Sequence, residues 1–209
     1  LWGNESNYST MHLSEDGSKV YIGITNRAIG PLSPASIPIE QRARAGVLYE
    51  IDASSDALIN LFNTVDNSNL DELEYSTGLA IVGDTAYVPV VRRTATDTPG
   101  TTAESYIKLY NVSTGQFIRQ VNVSALSTAD TMVPYGGYAD IENYTLYFHG
   151  SSLSDGIAES IVKLNLLNDA VTITPLTASE AGSWFSGWGI GSGGLGTKLY
   201  TPRNVVSGG

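Results

Sequence analysis

Short runs of alternating apolar and polar residues, closed by Asp, Asn, Ser or Gly, fill this chain, and helical spacing is nearly absent. The runs recur as one phrase. It reads Ser14-Glu15-Asp16-Gly17-Ser18-Lys19-Val20-Tyr21-Ile22-Gly23, then Val47-Leu48-Tyr49-Glu50-Ile51-Asp52, then Ala57-Leu58-Ile59. It returns as Val82-Gly83-Asp84-Thr85-Ala86-Tyr87-Val88, then Ile107-Lys108-Leu109-Tyr110-Asn111-Val112, then Gln116-Phe117-Ile118. A third copy holds Asn143-Tyr144-Thr145-Leu146-Tyr147-Phe148, Ile161-Val162-Lys163-Leu164-Asn165 and Ala170-Val171-Thr172. A fourth begins at Leu195-Gly196-Thr197-Lys198-Leu199-Tyr200. Tyr21, Tyr87, Tyr147 and Tyr200 lie 66, 60 and 53 residues apart. A period of this size with several strands per unit predicts an all-β fold, a β-propeller.

The 209 residues read as one propeller segment of about three and a half four-stranded antiparallel blades, expected to belong to a larger propeller. Blade 1 spans about 8–65, blade 2 about 76–123, blade 3 about 135–177, and a partial blade 4 about 186–209. The first strands are expected at 8–13, 78–82, 138–141 and 187–190, and the best helix candidate covers 39–45. Connections between first and second strands, and between third and fourth, are tight and rich in Asp, Asn and Gly, as hairpin turns require. The b–c connections (27–45, 94–104, 151–159) and the d–a connections (66–76, 124–135, 177–186) are long. In a meandering sheet both long sets emerge at one end, so one face of the disc is elaborated and becomes the expected binding face. Pro89 falls inside a second strand, where it removes a ladder donor, so a bulge or an early strand end is expected there.

Net charge is −10. Such a surface repels phosphate backbones and anionic lipid heads, which argues against nucleic acid and membrane insertion. The chain has no cysteine, which removes disulfides, thiol catalysis and thiolate-held zinc. No apolar run approaches the roughly 18 residues of a membrane span.

Leu13-Ser14-Glu15-Asp16-Gly17-Ser18-Lys19-Val20-Tyr21-Ile22 and the hairpin Leu109-Tyr110-Asn111-Val112-Ser113-Thr114-Gly115-Gln116 resemble the repeats of lactonase-like and quinoprotein-like propellers, the YVTN type. The resemblance covers all the repeats and implies the fold; propellers of this kind include hydrolases, oxidoreductases and binding scaffolds. The tryptophan repeated at each blade end in quinone-binding members is missing, and no cofactor is expected.

Individual motifs carry less. Gly189-Ile190-Gly191-Ser192-Gly193-Gly194 matches a dinucleotide loop by letter, but a strand with Pro202 follows instead of a helix. Of the two histidines, His149 is placed at a strand end and His12 in a first strand that would line the axis. No G-x-S-x-G elbow accompanies them, and no catalytic residue or metal ligand is assigned. The oxygen-rich stretch 66–74 lacks the glycine and register of an EF-hand and reads as a solvated acidic loop. Arg42, Arg44, Arg92 and Arg93 lie in or beside the long b–c loops and are the candidate binding face for a carboxylate or acidic glycan. Five N-x-[ST] sequons, at Asn4, Asn7, Asn111, Asn122 and Asn143, mark candidate glycosylation sites.

The expected function is a non-catalytic binding or assembly module of a secreted or cell-surface glycoprotein. Its partner would be a protein, a glycan or neighbouring copies of itself. The alternatives are a propeller hydrolase of lactonase type and a subunit of an extracellular filament.

Overall fold

The computed structural model describes residues 7–26, 37–42, 44–69, 71–94, 104–123, 132–152, 159–175, 191–192 and 199–200. They form three antiparallel sheets and a short hairpin, with a single turn of helix, α1 (Ile39–Arg42), among the described residues. The first sheet is β1 (Asn7–Leu13), β2 (Lys19–Asn26), β3 (Val47–Asp52) and β4 (Leu58–Asn63) in that order. The second holds β5 (Glu72–Ser76) and β6 (Ala80–Val82), both on β7 (Thr85–Thr94), followed by β8 (Glu104–Asn111) and β9 (Phe117–Asn122). The third is β10 (Met132–Asp140), β11 (Thr145–Ser152), β12 (Glu159–Asn165) and β13 (Val171–Pro175). The hairpin pairs β14 (Gly191–Ser192) with β15 (Leu199–Tyr200). Each sheet is a simple up-and-down meander, so the all-β reading holds.

The repeat is accurate to the residue. Tyr21, Tyr87 and Tyr147 are each the third residue of the second strand of their own sheet. The turns between third and fourth strands are built three times over in one way. Asp52, Asn111 and Asn165 each accept a turn amide on their side-chain oxygen, from Ser54, Thr114 and Leu167 respectively. Four residues later the amides of Asp56, Gly115 and Asp169 return to the carbonyls of those same residues at 2.9–3.0 Å. All three adopt positive φ (56°, 69° and 58°), which Gly, Asn and Asp tolerate best.

The sheets stack face to face. Tyr21 and Leu48 of the first sheet meet Ala86, Val88 and Val90 of the second. On its other side the second sheet offers Tyr87, Ile107 and Leu109 to Leu146, Phe148, Val162 and Leu164 of the third. Successive side chains of β7 and β8 therefore enter opposite cores, and the middle sheet is buried on both faces. Burial falls toward the fourth strands, where Leu58, Ile59, Leu61, Phe117 and Ile118 are exposed.

One expectation about the strands needs correction. The first strands begin earlier than the sequence indicated: β5 occupies part of the stretch read as a loop at 66–76, and β10 starts at Met132. The bulge expected near Pro89 is present, in the partner strand rather than in β7, which runs on to Thr94. Ser76 pairs with Val90 and Ala80 with Tyr87, so three residues, 77–79, stand opposite two. The bulge loops out where Pro89 has no donor to give, and the Pro89 carbonyl still accepts the Thr77 amide at 2.9 Å. β10 bulges at the corresponding place, between Tyr135 and Tyr138. The helix candidate over 39–45 is realised as α1 alone.

Candidate functional site

One cleft among the described residues is built by tight turns. It encloses about 460 Å³ and draws on all three sheets. The first sheet gives Leu13, the turn residues Ser14, Glu15, Asp16 and Ser18, and then Lys19 and Tyr21. The second gives Ile81, Gly83 and Asp84, and the third gives Ile141. These positions end the first strands or open the second strands of successive sheets, so the stacking that buries the core also brings the turns together. Exposed Leu13 and Ile141 lend the mouth an apolar edge.

Its electrostatics are fixed by short bonds. The Ser14 hydroxyl and the Ser18 amide and hydroxyl all donate to Asp16, and they hold its carboxyl down to about 2. Lys19 Nζ donates to Oε1 of buried Glu50 at 2.6 Å, which raises the lysine. Burial raises the Tyr21 phenol. The cleft thus presents a carboxylate that stays ionised, an ammonium tied to a buried partner, and a protonated phenol. Such groups can hydrogen-bond a polar ligand, although the Asp16 carboxylate is already engaged by the Ser14 and Ser18 donors. Among the described residues no three His, Cys, Asp or Glu side chains group as metal ligands.

The axial candidate, His12, sits at the junction of the sheets. Its Nε2 lies 2.6 Å from the Leu79 carbonyl, within the bulge of the second sheet. Burial lowers its pKa, against a smaller upward pull from that bond. The ring is neutral at pH 7 and donates Nε2–H to the carbonyl. His149 lies within β11, opposite Tyr135 and Ile161, since the strand continues to Ser152.

The four arginines do not share one surface. Arg42 is buried, and its guanidinium donates to the carbonyls of Ile37, Asn69 and Glu72, clamping α1 to the stretch before β5. Arg93 is buried as well. Arg92 pairs with Glu104 across β7 and β8 and lies over the Tyr106 ring. Arg44 is exposed.

Several side chains of the acidic stretch 66–74 are taken up by hydrogen bonds. The Asp66 carboxylate accepts the Ser68 amide, Asn69 accepts the Asp71 amide, and Glu74 accepts both the Asp66 amide and Lys108 Nζ. Glu74 and Lys108 are both buried, a pair that sequence reading did not find because its partners are 34 residues apart.

Asn143 stands in the exposed turn after β10, with its amide and Nδ2 donating to Asp140. Asn111 is half-buried and caps a turn; Asn122 is exposed at the end of β9. Asn7 opens β1, and Asn4 lies outside the described residues. The glycine motif at 189–194 lies outside them too, except that Gly191 and Ser192 form β14. The cleft went unread because its members come from turns 57 and more residues apart that look interchangeable in sequence. The chain matches no protein-family model and no curated protein sequence.

Proposed function

We propose that this chain is a β-propeller segment and acts as a non-catalytic binding or assembly module of a secreted or cell-surface glycoprotein. The observation that carries the non-catalytic reading is the bond from His12 to the Leu79 carbonyl. The inner-strand histidine spends its donor tying one sheet to the next, so it is not offered to a substrate. Support for propeller stacking comes from lateral contacts that repeat between sheets. Asn60 of β4 donates to the Val112 and Ser113 carbonyls of the next sheet's turn, and Arg119 of β9 bonds Asp169 of the turn after that.

Protein or glycan ligands would meet the long b–c and d–a connections at one end, with the turn cleft at the other. Resemblance to YVTN-type repeats keeps a lactonase in view as the competing class. Two measurements decide. Hydrolysis of a panel of γ- and δ-lactones, with and without added divalent metal, is expected to be nil; turnover that disappears in His12→Ala would overturn the binding reading. Produced through a eukaryotic secretory pathway, the chain is expected to lose mass on endoglycosidase treatment. An unchanged mass would overturn the glycoprotein reading.

A further inference from the structure

The cleft among the tight turns holds a polar group that the chain does not satisfy. Tyr21 is only 3% exposed; its ring belongs to the core with Ala86 and Val88, and it also lines the cleft. Its hydroxyl makes no hydrogen bond among the described residues. Tyr106 and Tyr110 show the usual arrangement, with the phenol bonded to Glu104 and to the Thr64 carbonyl. Three of the charges that act on the Tyr21 phenol, those of Lys19, Asp84 and Asp16, themselves line the cleft. The hydroxyl is therefore on the cleft side. A buried hydroxyl is normally bonded, so the missing partner of Tyr21 belongs in that space.

The charge of the lining says what kind of partner this is. Glu15, Asp16 and Asp84 are exposed and make no ion pair among the described residues. Asp16 is tied into its own turn by Ser14 and Ser18 and acts as a fixed charge. The side chains of Glu15 and Asp84 make no hydrogen bond among the described residues. Lys19, the cation of the lining, is already balanced by buried Glu50. Three carboxylates thus lack a cation, and they repel an anion. Beside them, Leu13 and Ile141 are 63% and 47% exposed, and Ile81 is half-buried. They offer an apolar wall next to the charge.

We propose that this cleft binds an alkylammonium group, with the ammonium donating to Glu15, Asp84 and the Tyr21 oxygen and the carbon stem lying along Leu13, Ile81 and Ile141. An ammonium has three donors and no acceptor, which matches two carboxylates and a phenol oxygen. The cleft volume of about 460 Å³ suits a small group of this kind. A free amine and a lysine side chain of a partner protein offer the same chemistry. The site adds a second binding place to the one expected at the long connections and does not depend on it.

The test is isothermal titration calorimetry at low salt with two probes, n-pentylamine hydrochloride and an end-capped glycyl-lysyl-glycine peptide. At least one is expected to bind one-to-one, and added salt should weaken it. Binding of the peptide assigns the site to a partner's lysine; binding of the amine alone assigns it to a small amine. Tyr21→Phe keeps the ring in the core and removes an oxygen with no internal partner, so the unfolding midpoint should not fall while affinity drops about fivefold. Asp84→Asn, on the exposed turn, should weaken binding about tenfold. Circular dichroism confirms the strand content of both variants. The inference is overturned if neither probe binds, if uncharged n-pentanol or the Nε-acetylated peptide binds as well as its charged counterpart, or if both substitutions leave affinity unchanged. Each of these outcomes leaves the binding-module reading to its own lactone and endoglycosidase tests.

Discussion

A β-carbon on Gly78 would stand 2.2 Å from the carbonyl oxygen of Gly136, so the backbones of the second and third sheets touch there with no side chain between them. Gly136 donates its amide to the Thr77 carbonyl at 3.3 Å, and the Thr77 hydroxyl donates to the Pro134 carbonyl. The two bulges interlock through these bonds. Gly78→Ala has no flexible side chain to push aside, only backbone. It is expected to cost about 1–3 kcal/mol or more. Urea unfolding should show a lower midpoint with an unchanged slope.

Burial of His12 at this junction makes it sensitive to acid. The pKa of His12 is lowered in the folded chain, so the unfolded chain binds the proton more readily. Its contribution is complete above the unfolded value of about 6.5 and is lost as pH falls toward the folded value. His12→Gln should flatten the stability profile in that window. The further acid loss set by Asp16 and Asp52, both held at about 2 in the folded chain, begins only near pH 4 and should remain.

Glu74 and Lys108 form an ion pair buried within the second sheet. Lys108→Met strands a carboxylate and is expected to cost about 3–5 kcal/mol. Glu74→Gln with Lys108→Met keeps an acceptor for the Asp66 amide and removes both charges. The double variant should recover much of the loss, and a double-mutant cycle measures the difference.

Arg119 and Asp169 make paired 2.8 Å bonds at the outer edge between the second and third sheets, where both are partly exposed. Solvent and salt screen them, so Arg119→Ala is expected to cost about 1 kcal/mol or less. Raising the salt concentration should lower the stability of the wild type more than that of the variant.

Among the sequons, Asn143 should be the best occupied, because its turn is exposed and lies between strands. Glycopeptide mass spectrometry of secreted chain should find it modified. A bare Asn143 beside an occupied Asn111, which is half-buried and caps a turn, would refute the argument from exposure.

The strand pattern was legible because it is local. Tyr21, Tyr87 and Tyr147 follow like turns at like offsets, and a two-residue period with Asx turns needs no knowledge of neighbours. The first strands were harder. Their residues at 72–76 and 132–137 pair as strand only because a second strand lies beside them, and their bulges are shaped by Pro89 and by the meeting of Gly78 with Gly136. The arginines show the same limit. Their charge promised a binding surface, but burial of Arg42 and Arg93 depends on what the chain folds against them. The sequence by itself determined the period, the turns and the alternation, all set by neighbours a few residues away. Only the tertiary structure decided that His12 holds a carbonyl, that turns of three sheets line a cleft, and that the middle sheet is buried on both faces. Each joins groups from separate repeats, and what brings those together is the burial of apolar faces, which is non-directional and leaves no local signature in sequence.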